Sequence, residues 1–322
     1  MTIKSKAFSI ISRLLPFKII ALNTNPILLY HSIFKQIPKN LEDGLDNVTP
    51  EILFEQISYL KKYYEIISVD DYLNLRDKNG YACITFDDGY KTVLDHGLPV
   101  FESLNLPITI FLNTSSLEGK IFWRDKVRYI INNNLVDEFE DFAIENIRTN
   151  DKEFYNYTKN KNNNSIIVEN EIDKFIEYKN INTKIQSYSL DSRRYFINHP
   201  LISYGNHSHN HYVMSSLSFD EQFQEIRHAK KALIKNGLKP SKVFSLPFGR
   251  LDDFNDDTIN ILENEGYEAM LMSQNLLNFP FSPDKSRGNI ILLERFMPKR
   301  KLLPTTMKKI FLKKLSEMKI SI

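Results

Sequence analysis

The sequence predicts an α/β fold built on a mostly parallel sheet or barrel. Three observations predict it. Short apolar runs of strand length alternate with helical patterns along most of the chain, and strands separated by helices pair in parallel. The residues with chemical potential cluster where those runs give way to polar loops, the edge at which α/β folds gather functional groups. The chain has 322 residues, 42% hydrophobic and 25% charged. That is a globular composition, with length enough to bury a large core without a disulfide or metal staple.

Ile27–Tyr30 is an apolar run before a polar loop and reads as a buried strand. Pro50 to Tyr64 has helical periodicity through Ile52, Leu53, Ile57 and Leu60. Ala82–Phe86 is a second buried strand, ending at Asp87-Asp88-Gly89. His96 to Leu104 reads as a helix and Pro107–Leu112 as a third strand. From about Lys120 to Arg194 the chain is rich in Asn, Lys, Glu and Tyr, and Lys159–Asn164 is nearly of low complexity. We expect a mostly helical insertion here with a mobile loop, within one domain. The alternation resumes with a strand at Leu201–Tyr204 running into a histidine-rich loop. Ser218 with Glu221 three residues on is a capping-box pattern, opening a helix that reaches Asn236 before Gly237. Val243–Leu246 is a strand ending at Pro247-Phe248-Gly249, Asp256 to Glu265 a helix stopped by Gly266, and Tyr267–Met272 and Ile290–Leu293 are further strands. There is no internal repeat.

Composition excludes several classes. Lys and Arg number 42 against 40 Asp and Glu, a net charge of +2, which argues against a nucleic-acid binder with a basic surface. The lone cysteine, Cys83, allows no intrachain disulfide and reads as a core residue of its strand. No apolar run approaches the length of a membrane span. At the start, Arg13 interrupts the short apolar stretch from Ala7 to Ser12, a poor export signal, so a cytoplasmic location is expected. Both ends are basic. In residues 1–24, Phe8, Ile11 and Leu15 lie at helical spacing among Lys4, Lys6, Arg13 and Lys18. In residues 301–322, Met307, Phe311, Leu315 and Met318 form a stripe between lysine pairs. Two readings are open: a basic amphipathic helix lying on an anionic membrane surface, or a terminal helix docked on the domain with its lysines solvated.

Three strand-end sites carry the chemistry. In Thr85-Phe86-Asp87-Asp88-Gly89, two adjacent carboxylates follow a buried strand. Successive side chains point different ways, so one can hold a cation while the other faces a substrate; the alternative is a plain turn. In Asn206-His207-Ser208-His209-Asn210-His211, three of the seven histidines fall within five residues. His207 and His211 are spaced to reach one metal; the alternative is a solvated loop. Two His and one Asp would make a first-row metal site, zinc above others, with positions open for water and substrate, as catalytic sites have. Ser245-Leu246-Pro247-Phe248-Gly249 alone is a strand-ending turn.

Together these residues resemble the NodB-type polysaccharide deacetylases, carbohydrate esterase family 4. The family's first motif reads T-F-D-D-G, as Thr85–Gly89 does, and its second reads H-[S/T]-x-x-H, as His207, Ser208 and His211 do. The flanks Gly97-Leu98-Pro99, Pro107–Phe111 and Leu217-Ser218 look like the family too. The resemblance spans about residues 25–300. It implies a distorted (β/α) barrel of fewer than eight strands with a helical insertion at about 120–194. It implies that Asp88, His207 and His211 bind a divalent metal, that Asp87 is the general base, and that the Phe248 backbone N–H is the oxyanion donor. Ser208 would orient the loop, and His209 matches no ligand.

Two departures matter. The family's third motif is usually R-x-P-[Y/F]-G, but Ser245 stands where the arginine would be. Its last motif, L-x-H, supplies a histidine acid, but Leu293-Glu294-Arg295 stands there. Arg295 is a candidate substitute for the missing arginine. Tyr30-His31, at the end of the first strand, resembles the Y-H motif of a permuted branch of the family, which makes His31 the candidate general acid. Phe122-Trp123-Arg124-Asp125 opens the insertion. Trp123 and Arg124 would suit a sugar face and its polar rim if exposed, or Trp123 would anchor the insertion to the barrel.

The expected reaction is metal-dependent hydrolysis of the N-acetyl group of an amino sugar. The expected substrate is a glycan or a lipid-linked or nucleotide-linked precursor, met in the cytoplasm, with peripheral membrane contact through the basic ends. Alternatives are a deformylase, an O-acetyl esterase or a non-catalytic glycan-binding relative.

Overall fold

The computed structural model describes residues 15–143, 154–190, 198–280, 285–298 and 303–320. Its strands are β1 (Ile27–Tyr30), β2 (Glu65–Ile66), β3 (Tyr81–Phe86), β4 (Ile108–Leu112), β5 (Ile202–Asn206), β6 (Pro240–Ser245), β7 (Ala269–Leu271), β8 (Lys285–Arg287) and β9 (Ile290–Leu293). They form one sheet in the order β1-β3-β4-β5-β6-β7-β9-β8, with β2 beside β3. Every pairing from β1 to β9 is parallel, and only β8 runs antiparallel to its neighbour. The sheet curls until its ends meet. Leu28 bridges in parallel to Phe296; the Leu29 N–H donates to the Phe296 carbonyl at 3.0 Å, and the Phe296 N–H to Ile27 at 3.2 Å. The result is the distorted (β/α) barrel expected, with seven parallel strands around it among the described residues and the short β2 added in parallel beside β3.

Parallel strands are covered on both faces and so read as continuous apolar runs; β1 and β4 are buried at every residue. One face fills the barrel. Ile27, Cys83, Phe111, Val243, Ala269, Leu271 and Leu293, from strand after strand, form one cluster. Helix α3 (Val69–Leu75), capped by the Ser68 side chain, plugs it with Val69, Tyr72 and Leu73. Asp70 of that helix accepts from Ser241 and from the Lys242 N–H on β6. Gly205 on β5 is required by packing, because a Cβ there would lie 2.3 Å from the Phe111 ring. The other faces are covered by α2 (Pro50–Leu60), α4 (Leu98–Leu104), α9 (Phe219–Lys235) and α10 (Asp256–Asn264). The Ser218–Glu221 capping box forms as predicted.

The long β4-to-β5 crossover holds α5 (Trp123–Asn132), α6 (Val136–Ala143), α7 (Phe154–Tyr157) and α8 (Ser165–Tyr178). Phe139, Phe154 and Phe175 of this insertion share one core with Tyr212, Phe244 and Leu246 of the barrel. Lys159–Asn164, expected as a mobile loop, is a hydrogen-bonded turn. Asn160 accepts from the Asn162 N–H at 3.0 Å, Asn163 donates to the Tyr157 carbonyl at 2.9 Å, and Asn164 caps α8. Its asparagines are turn and cap residues.

The first and last described helices pack together. Leu303, Met307 and Phe311 of α11 (Leu303–Ile320) are buried in the same cluster as Phe17 and Ile20 of α1 (Phe17–Ala21). Phe311 stacks on Phe279 at 6.0 Å. The apolar stripe therefore faces the domain, which is the docked-helix reading, while Lys309 and Lys313 point outward. Lys4, Lys6, Phe8, Ile11, Arg13 and the Met318 side chain lie outside the described residues. Among those described, no helix is long and apolar enough to cross a membrane.

Candidate active site and metal centre

The inward face of each barrel strand carries on past its apolar layer. Side chains two residues apart share a face, so Cys83 is followed by Thr85 and Asp87, Val243 by Ser245, and Leu293 by Arg295. These make a polar layer at the C-terminal mouth. Arg295 Nη1 and Nη2 donate to the two oxygens of Asp87 at 2.9 and 2.7 Å, a bidentate fork. The Ser245 hydroxyl donates to the same carboxylate at 3.0–3.1 Å and accepts from Arg295 Nη2 at 3.0 Å. Arg295 Nε is tied to the Met272 carbonyl at 3.0 Å. All three side chains are buried. Burial opposes ionisation of Asp87, but Arg295 and then His207 outweigh it and hold the carboxyl below its usual range. Asp87 is a fixed carboxylate.

Asp88 turns away from it. A φ of 68° puts Asp88 in the left-handed region, an arrangement that costs energy and persists where the surroundings impose it. His211 and Ser208, at 65° and 64°, are in the same region. Asp88 Oδ1 faces His207 Nε2 at 3.5 Å and His211 Nε2 at 3.4 Å. The ligand atoms of Asp88, His207 and His211 all lie within 4.8 Å of one another. His207 Nδ1 meets the Ser245 carbonyl at 2.8 Å, which fixes the ring and leaves Nε2 for a ligand. The Ser208 hydroxyl accepts from the His211 N–H at 2.8 Å. The loop is pinned to α9 by Glu225, which takes the Asn210 N–H and side-chain amide at 2.7 and 2.6 Å.

A cation fits this set. Asp88 Oδ1 is buried with no hydrogen-bond partner among the described residues, a costly state unless something else satisfies the oxygen. Burial drives the His211 imidazole well below its ordinary pKa, so it is neutral and its lone pair is available. The donors are nitrogen, nitrogen and oxygen, a set suited to first-row divalent ions.

His31, at the end of β1, lines the same 180 Å³ cavity as Asp87, Asp88, His207 and His211. Its Nδ1 is buried with no hydrogen-bond partner among the described residues. It also lines a neighbouring cavity of 360 Å³, lying in the wall between the two. Phe248 borders the metal cavity as well, with φ 61°, and its ring packs on His211 at 4.6 Å. Gly249 follows at φ 73° with Ser273 so close that a Cβ would lie 2.5 Å away.

Trp123 is not an exposed sugar platform. It is 1% exposed; its indole N–H donates to the His211 carbonyl at 3.4 Å, and its ring packs on Tyr212 at 6.1 Å. The apolar face of α5 carries it inward, so it supports the metal loop from behind. Arg124 is buried too but does border the cavity. Sequence reasoning missed its neighbours Arg128, Tyr155, Lys159 and Arg250. No local signal marks them, because the fold of the insertion brings them to the mouth. His209 sits apart, bonded to Thr114 at 2.9 Å and stacked on His228 at 4.2 Å. With Glu118 these two form a second, mostly exposed three-residue group.

Residues 75–196 and 180–270 match the polysaccharide deacetylase family. The chain belongs to that family. A polysaccharide deacetylase is a hydrolase of carbon–nitrogen bonds other than peptide bonds, and family members of this class are metalloenzymes. The fold of this deacetylase is similar to that of the Streptococcus pyogenes deacetylase PplD solved with acetate (15% identity, TM-score 0.54, 89% of this chain and 97% of that one). It is also similar to IcaB from Ammonifex degensii (14%, 0.52, 89% and 97%). A third likeness is to the de-N-acetylase from Aggregatibacter actinomycetemcomitans (15%, 0.52, 89% and 99%). No curated protein matches the chain.

Proposed function

We propose that this deacetylase hydrolyses the N-acetyl group of an amino sugar in a glycan or glycan precursor, with zinc held by Asp88, His207 and His211. The observation that carries the reading is the buried, unpartnered Asp88 Oδ1 facing two histidines beside an Asp87 carboxylate locked by Arg295. When bound, the metal supplies Lewis acidity to the amide carbonyl and lowers the pKa of water in the site.

The chain's own groups do the rest. Asp87, ionised and held in one rotamer by Arg295 and Ser245, accepts the proton of the attacking water. The Phe248 N–H donates to the oxygen of the tetrahedral intermediate. His31 gives its proton to the sugar nitrogen as the C–N bond breaks, so that a free amine and acetate leave. A lipid-linked precursor at the inner membrane face suits the outward Lys309 and Lys313, which an anionic surface attracts.

The test is acetate release from a panel of soluble, nucleotide-linked and lipid-linked N-acetyl sugars, with formyl and O-acetyl analogues beside them. Asp87→Asn should lose at least about 100-fold in kcat/KM while about one zinc per chain stays bound. Release of only formate, or only of ester acetate, would replace the N-acetyl reading. No zinc in a folded, zinc-supplied sample would sink the metal assignment, and full activity in His31→Ala would remove the acid.

A further inference from the structure

Three of the five arginine and lysine side chains that line the cavity are paired with carboxylates. Arg295 is matched by Asp87. Arg128 is matched by Asp125 at 2.8 Å, which also takes the Tyr90 hydroxyl at 2.6 Å. Arg250 is matched by Asp253 at 2.8 Å. Asp88 faces the two histidines. Asp46 belongs to the wall shared with the second cavity. Two cations remain, Arg124 and Lys159, and neither has a carboxylate partner among the described residues.

Both are held in place. Arg124 is 1% exposed. Its Nη1 donates to the Thr158 hydroxyl at 2.9 Å, and its guanidinium lies over Trp123, Tyr155 and Phe248 at 4.5, 4.9 and 5.2 Å. Its Nη2 is buried with no hydrogen-bond partner among the described residues, and the guanidinium interacts with the Tyr155 side chain. A buried guanidinium with an idle N–H pair is expensive. Lys159, next in the chain to Thr158, puts its ammonium 4.5 Å from one of those three rings, that of Tyr155. The Lys159 carbonyl is clamped by Arg250 Nη2 at 2.8 Å. Tyr155 lies between the two cations. Burial works against its ionisation, yet Arg124, Arg128 and Lys159 bring its pKa below the ordinary value.

We propose that Arg124 Nη2, Lys159 Nζ and the Tyr155 hydroxyl form an oxyanion subsite of the substrate pocket, which receives a phosphate or carboxylate carried by the amino sugar next to its N-acyl group. An arginine fork and a lysine suit several oxygens at once. Phe248 joins the subsite to the metal centre, since its ring packs on Arg124 on one side and on His211 on the other. The substrate class is then an anionic amino sugar, either a sugar phosphate such as a carrier-linked precursor or a uronate. The inference rests on the deacetylase reading for the identity of that sugar, though the subsite itself can be tested without catalysis.

The experiment is calorimetric titration of the full-length, metal-free chain with three probes: N-acetylglucosamine 1-phosphate, the uronate of N-acetylglucosamine, and its neutral methyl glycoside. One or both charged sugars should bind at least tenfold more tightly than the glycoside, and whichever binds tighter identifies the anion. Lys159→Gln, at a half-buried turn position, should remove most of that preference. Arg124→Lys, checked for folding by circular dichroism, should weaken it by losing the fork. Equal binding of charged and neutral sugars would overturn the subsite, and so would an unchanged preference in a folded Lys159→Gln. Selective binding without acetate release in the zinc-loaded chain would keep the subsite and reject the deacetylase reading instead.

Discussion

Arg295, just past the last barrel strand, holds Asp87 from a position other than 245, where Ser245 stands in place of the family's arginine. The strand period explains why this works. Positions 245 and 295 are both inward-facing mouth positions, so a guanidinium sent from either can reach Asp87, and the small Ser245 leaves room for it. Removing the charge should be costly twice. Arg295→Met strands a buried carboxylate, and we expect a loss of roughly 3–5 kcal/mol of stability in denaturant unfolding. The surviving Asp87 then loses the partner that keeps its pKa low. Its ionisation moves to higher pH, and the acid limb of kcat/KM should shift upward. Arg295→Lys keeps the charge without the fork and should fall between. An unmoved acid limb in a folded Arg295→Met would show that Asp87 is not the base. At this scale the sequence was informative: the motif residues Asp87, Asp88, His207 and His211 meet, and the gap at Ser245 with the arginine at 295 was visible. What it left open was burial, which decides between the two readings of Trp123 in favour of an anchor behind the metal loop.

Helix α9 is the element that holds the histidine loop. Its Glu225 is buried under Asn210 with both carboxylate oxygens in use. Burial, only partly offset by the hydrogen bonds from Asn210, raises its pKa to about 7. In the unfolded chain the carboxyl titrates near the usual 4.5. Between those values the folded state binds more protons than the unfolded one, so stability falls as pH rises through that window. Glu225→Gln cannot titrate. Wild-type stability relative to this variant should therefore drop by roughly 3 kcal/mol between pH 4.5 and pH 7. A difference that stays constant across that range in urea titrations would mean that Glu225 is already ionised in the fold. Elements with strong patterns were legible: the capping box of α9, and the buried runs of β3 and β4. Helix α3 escaped because its seven residues are too few to show a helical period. Strand β8 escaped because all three of its residues are exposed, so burial imposes no pattern on it.

For the whole molecule the question is how the two ends become part of one body. Helix α11 was readable as amphipathic, but its partner was not, because amphipathicity alone does not say whether protein or lipid covers the apolar stripe. Phe311, stacked on Phe279 and 3% exposed, belongs to the core by contact. Phe311→Ala should cost about 3–5 kcal/mol in global unfolding; a loss under about 0.5 kcal/mol would show the helix to be peripheral. The barrel's closure works over a longer span still. His31 sits one residue beyond β1, and Arg295 one residue before the bridge that joins Phe296 to β1. These two residues therefore line one cavity although 264 positions (295 − 31) separate them in the chain. At the usual 5–20 residues per second of synthesis, the first strand waits roughly 15–50 s for its partner. Throughout that interval the free edge of β1 and an Asp87 without its counter-charge stand in the nascent protein. The counter-charge of Asp87 thus arrives only with the residues that follow β9, and an unfinished chain, however far its core has condensed, lacks the closed polar mouth.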